Sequence, residues 1–147
     1  MLTIGSAGIA DYSNLSQSLN IPLSFNSGTT LIQNFGTGTL SLGNSGTALS
    51  MLSGASLQFT VAGKGSTVLQ GSLSGTGTIT KDGSGTLSLY NTSSTFSGPT
   101  LVKQGTLSLP FTAAMPSGNV VTVNAQGGEA RIDLGGSSQT FGQLTLG

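Results

Sequence analysis

Gly75-Thr76-Gly77-Thr78-Ile79-Thr80-Lys81-Asp82-Gly83-Ser84-Gly85-Thr86-Leu87-Ser88-Leu89, continued through Tyr90 to Thr100 into Gly105-Thr106-Leu107-Ser108-Leu109, is the stretch whose reading decides the fold. The string Gly-Thr-Leu-Ser-Leu stands at Gly85–Leu89 and again at Gly105–Leu109. Within each copy apolar and hydroxyl residues alternate, the period of a half-buried strand. Gly83-Ser84-Gly85 leads into the first copy and Gln104-Gly105 into the second. Glycine supplies the backbone freedom that sharp turns need. The unit therefore reads strand, turn, strand, turn. Like strands recurring after about twenty residues can stack in register, each about 4.8 Å above the last. Between the copies, Asn91, Ser93, Ser94, Ser97, Gly98 and Pro99 suit turns rather than a helix, with Phe96 expected to point inward.

These residues resemble the autotransporter-associated β-strand repeat, also called the passenger-associated transport repeat. The resemblance rests on Gly77 to Leu89, on Asn91-Thr92, on Ser94 to Gly98, on Val102 and on Gly105 to Leu109. Phe96 stands where that family usually has tyrosine, and Ser93-Ser94 pads the Asn-Thr turn. The likeness implies a right-handed parallel β-helix, secretion, and a transport or structural role rather than chemistry. It covers the repeat at 75–109. The stretches 1–74 and 110–147 read as more divergent coils of one domain spanning 1–147.

The rest of the chain carries the same punctuation. Strands are expected at Leu2 to Gly5, Ser18 to Phe25, Thr29 to Gln33, Gly38 to Leu42, Ala48 to Leu52, Ser56 to Val61, Ser66 to Leu69 and Thr76 to Thr80. Further ones are expected at Val120 to Asn124, Ala130 to Leu134 and Gln143 to Leu146, with a wide loop at Pro110 to Gly118. Turns are expected at Ser53-Gly54 and Ala62 to Gly65, among others. The expected fold class is all-β: a parallel β-solenoid, right-handed by the resemblance, of about six to seven coils with open ends, a rod of roughly 30 Å. Its core is expected to stack Leu, Ile and Val with Phe25, Phe35, Phe59, Phe96, Phe111 and Phe141. Asn91 is expected to take part in ladders between coils.

Composition narrows the function. Of 147 residues, 24 are glycine, about twice the usual share of ~7%, yet the apolar residues fall on alternate positions and disorder is rejected. Charged residues are only 5%, against ~25% in ordinary soluble domains, and net charge is zero. Such a surface has little repulsion to oppose association. It also lacks the basic patch that nucleic acid requires. There is no cysteine and no histidine, hence no disulfide, no imidazole base and no His metal ligand. Met1 to Gly5 lacks the basic start and apolar run of a signal peptide, and no run approaches ~20 apolar residues, so no membrane insertion is expected.

The four acids are Asp11, Asp82, Glu129 and Asp133. Glu129, Arg131 and Asp133 share one strand face, a set similar to the carboxylate clusters of polysaccharide-cleaving β-helices; the simpler reading is a surface ion pair worth ~0–1 kcal/mol. Lys81-Asp82-Gly83 reads as a turn with a solvated charge pair. The Gly-x-Gly runs and Gly63-Lys64-Gly65-Ser66 lack the helix and spacing of phosphate loops. No catalytic residue, cofactor or metal site is expected.

The ends carry the functional expectation. Neither shows a polar cap or a proline-blunted edge, so Leu2 and Ile4 at one end and Leu144 and Leu146 at the other are expected to meet in a head-to-tail contact between copies, which does not close and makes filaments. The expected function is a non-enzymatic structural subunit on the bacterial surface. The alternative is a segment of an autotransporter-type adhesin passenger, serving as stalk or spacer. A polysaccharide-acting enzyme ranks third.

Overall fold

The computed structural model describes residues 1–51, 54–61 and 64–147. The expected end of a strand at Leu52, the turn residue Ser53 and the start of the turn at Ala62-Gly63 lie outside the described residues. Among the described residues seventeen strands, numbered in chain order, wind through three parallel sheets. The first sheet holds β1 (Leu2–Ile4), β4 (Leu23–Phe25), β7 (Ala48–Met51) and β10 (Ser72–Gly75). The second holds β2 (Ile9–Asp11), β5 (Gly28–Asn34), β8 (Ala55–Val61), β11 (Thr78–Asp82), β13 (Thr100–Val102), β15 (Val120–Val123) and β17 (Gln143–Leu146). The third holds β3 (Gln17–Leu19), β6 (Thr39–Leu42), β9 (Ser66–Leu69), β12 (Thr86–Leu89), β14 (Gly105–Ser108) and β16 (Ala130–Asp133). The chain is an all-β solenoid of about six turns.

The two Gly-Thr-Leu-Ser-Leu strings pair in register, Thr86 with Thr106, Leu87 with Leu107 and Ser88 with Ser108. A third copy, Gly38 to Leu42, forms β6 in the same sheet, two turns before β12. One turn advances the chain by roughly 20 to 27 residues, from Thr86 to Thr106 at the short end and Gly28 to Ala55 at the long end. Alternation does the rest. In β8 the burial alternates along Ala55–Val61, with Leu57, Phe59 and Val61 inside. Columns of inward residues follow from the register: Ile9, Ile32, Phe59, Lys81, Val102, Val123 and Leu146 run down the second sheet.

The first sheet stops at β10. From there the third side is built of loops, each of which drops a large side chain into the core: Phe96 and Met115 are buried and Phe141 is half-buried. The loop at 90–99 still covers the β10 edge, with Thr95 N donating to Leu73 O at 2.8 Å and Ser97 N to Gly75 O at 2.9 Å. This close winding explains Gly98, where a Cβ would lie 1.6 Å from the Gly77 carbonyl oxygen. Asn119 joins successive loops by donating to Phe96 O at 2.9 Å.

Several expectations change. The strand expected over Ser18 to Phe25 is two, β3 and β4, because Asn20 to Pro22 turns a corner between sheets. The one expected at Thr76 to Thr80 lies at Thr78–Asp82, preceded by β10, which was not anticipated. Phe25, Phe59 and Phe96 are buried as expected, but Phe35 and Phe111 are 41% and 44% exposed. Alternation accounts for Phe35: the inward place at that corner belongs to Asn34, fully buried, whose amide donates to Gly38 O and Ser66 O. Phe35 turns outward and stacks on Tyr12 of the preceding turn. Asn91 links turns without an asparagine ladder, donating to Gln70 O at 3.2 Å and accepting from the Ser72 hydroxyl at 3.3 Å.

Candidate functional site: the lysine lock and the solenoid ends

Lys81 is the largest departure from the sequence reading. It is not a solvated turn residue: its relative exposure is 0%. Strand alternation puts it inside, two residues after buried Ile79, between Phe59 above and Val102 below. Its ammonium donates to the carbonyls of Asp82 at 2.7 Å, Gly83 at 2.6 Å and Gln104 at 3.0 Å. Three donors meet three acceptors, the condition under which a buried charge is tolerated. Burial pushes its pKa down from the usual 10.5 to about 8, while the neighbouring Asp82 charge pulls it back up. Asp82 itself turns its carboxylate to the Gly83 N–H at 2.7 Å.

The glycines around it serve this arrangement. Gly105 has φ +75°, and a Cβ there would lie 2.3 Å from Gly83 O, 2.4 Å from Gly85 O and 2.8 Å from the Lys81 ammonium. The Lys-x-Gly-x-Gly-Thr-Leu string and the later Gly-Thr-Leu are thus two sides of one packed joint between turns.

Residues 79–109 match the family model of the passenger-associated-transport-repeat. The repeat spans Ile79 to Leu109, from the strand that carries Lys81 to the third-sheet strand stacked beneath β12. No curated protein sequence and no solved structure matches the chain. The repeat together with the solenoid fold fits a segment of an autotransporter passenger.

Outside the repeat, the residues expected to mediate self-association sit at the two ends. At the N-terminal end Leu2 is 43% exposed and Ile4 is half-buried, both on β1 of the first sheet. At the C-terminal end Leu144 and Leu146 are 47% and 75% exposed, on β17 of the second sheet. The two pairs therefore belong to different sheets. The second-sheet strand facing the opposite end is β2, with half-buried Ile9. Both β16 and β17 have a neighbour on one side alone, β14 and β15 respectively. Between them lies an apolar hollow of 290 Å³ whose lining includes Val123, Ile132, Leu134, Phe141, Leu144 and Leu146.

The ends also differ in phase. Winding order runs first, second, third sheet, and β17 is a second-sheet strand. Along the outer edge of β16 the third sheet holds no strand level with β17 among the described residues. A second copy that set its β2 against β17 would leave that place open.

The acid–arginine–acid set lies on β16 and the residue before it. Glu129, Arg131 and Asp133 share the outer face while Ala130 and Ile132 turn inward, as alternation requires. Arg131 donates from Nε to the Thr106 hydroxyl at 2.9 Å, and Asp133 accepts from Gly135 N at 3.0 Å in a local turn. A shallow cleft of 230 Å³ holds Glu129 and Arg131 beside Ser84, Gln104 and Thr106, with a single carboxylate. A pair of carboxylates flanking a bond, the arrangement that glycoside hydrolysis calls for, is not assembled in it.

Proposed function

We propose that this chain is a non-enzymatic structural solenoid of the bacterial cell surface, extended through its ends by parallel strand pairing. The observation that carries this reading is the C-terminal face, where two free strand edges flank an apolar hollow with Leu144 and Leu146 uncovered. Free edges of this kind template pairing with further strands, and a surface with 5% charged residues does little to oppose it. The partner is a second copy of the chain, stacked head to tail as a filament. Secretion is the reading that the passenger-associated repeat supports.

A second reading has its own support. The passenger-associated repeat at residues 79–109 suits a stalk in a longer passenger. A surface protein much longer than this chain, found by immunoblot of intact cells, favours the stalk.

Sedimentation velocity on the purified chain tests the end contact. Concentration-dependent growth is expected, and Leu144→Asp with Leu146→Asp should abolish it, since both side chains already lie at the edge and the fold loses little. Growth unchanged in the double variant, or none in the parent, overturns the proposal.

A further inference from the structure

The corner between the third sheet and the first carries an exposed aromatic pair that neither the core nor the ends account for. Tyr90 follows β12 and Phe111 follows β14 by one turn; their rings lie 5.3 Å apart at 83°, and they are 46% and 44% exposed. The rings border a shallow cleft of 340 Å³ completed by Asn44, Ser45 and Gln70. These five residues come from four successive turns, so the cleft runs along the solenoid axis for about 14 Å at the ladder spacing.

The chemistry of the lining is specific. No charged side chain contributes to it. Among the described residues, the Tyr90 hydroxyl and the Gln70 side-chain amide have no protein hydrogen-bond partner, so their capacity is unspent. Asn44 commits its Oδ1 to Gly46 N and the Thr47 hydroxyl, which fixes the side chain and leaves its amide N–H groups to the cleft. The edge-to-face geometry also matters. Tyr12 and Phe35 are stacked at 22°, each covering the other's face. At 83° Tyr90 and Phe111 cannot cover one another in that way, and ring face remains to be covered by a ligand.

We propose that this corner is a binding site for a neutral, linear oligosaccharide lying along the solenoid axis. Pyranose rings present an apolar C–H face that packs on an aromatic ring and equatorial hydroxyls that pair with amides and a phenol. An acidic polysaccharide or a nucleic acid finds no cation here, and an apolar peptide would leave the amides unpaired.

Isothermal titration with cellohexaose and chitohexaose tests the site, with polygalacturonate as the charged comparison. Binding of a neutral hexaose in the micromolar to millimolar range is expected. Tyr90→Ala and Phe111→Ala should each weaken it at least tenfold, while Phe111→Tyr and the control Phe35→Ala retain it. Thermal melts confirm that each variant is folded. No heat from either neutral hexaose, tighter binding of polygalacturonate, or binding preserved in the Tyr90→Ala, Phe111→Ala double variant overturns the proposal. The end-to-end contact is untouched by these changes, so sedimentation of the same variants separates failure here from failure there.

Discussion

The Lys81 ammonium lies 3.0 Å from the carbonyl oxygen of Gln104 and thereby ties one turn of the solenoid to the next from inside the core. The same ammonium holds the carbonyls of Asp82 and Gly83, so a single side chain closes the turn that opens the passenger-associated repeat and fastens the turn below. Truncation should therefore cost both packing and hydrogen bonds. Lys81→Ala leaves a cavity and three carbonyls without their donor, for about 3–5 kcal/mol of lost stability. Lys81→Met refills most of the volume and removes the cost of burying charge, so its loss should be smaller, about 1–3 kcal/mol. Urea unfolding of both variants gives the comparison; a methionine variant more stable than the parent would show that the lock contributes nothing.

Stability should rise with pH above 8. The folded pKa of Lys81 is about 8 and the unfolded value is 10.5, so between them the unfolded chain holds a proton that the folded chain has released. Stability is flat below pH 8, where both states are protonated, and increases toward pH 10.5. The three carbonyls favour the charged form and limit the gain to the order of 1–3 kcal/mol. Lys81→Met should lose this rise, and an equal rise in the variant would assign it to other groups.

Gly105 admits no side chain. Its φ of +75° is costly for an L-residue, and a Cβ would run into two carbonyls and the ammonium. Gly105→Ala should lower stability by about 2–4 kcal/mol, measured by the shift of the urea midpoint at constant slope. A midpoint within error of the parent's would mean the joint is looser than its geometry.

Thr67 offers a change in the opposite direction. It is fully buried in the third-sheet column between Leu40 and Leu87, and its hydroxyl has no partner. Thr67→Val keeps the shape and removes the unpaired group, for a gain of about 1 kcal/mol. Loss of stability on thermal unfolding would reveal a partner for the hydroxyl.

Much of this architecture is legible in the sequence because a solenoid repeats one local rule. The in-register stacking of Gly85–Leu89 on Gly105–Leu109 follows from their spacing and alternation, and β17 lies where its pattern puts it. The third copy, Gly38 to Leu42, carries the same signal in plain letters. What alternation cannot show is how an inward polar residue is satisfied. Alternation turns Lys81 and Asn34 inward, but that backbone carbonyls of the next turn meet them there depends on stacking, not on local pattern. Phe35 and Phe111 illustrate the converse: hydrophobicity suggests the core, while corner geometry sends them outside. The end residues were legible as strands, but that Leu2 and Leu144 lie in different sheets follows only from counting strands around the turn.

Electron microscopy of the purified chain tests the structural role most directly. The expected result is rods joined end to end, with an axial repeat near the height of one subunit, roughly 30 Å. Particles that stay dispersed as monomers at high concentration would contradict it.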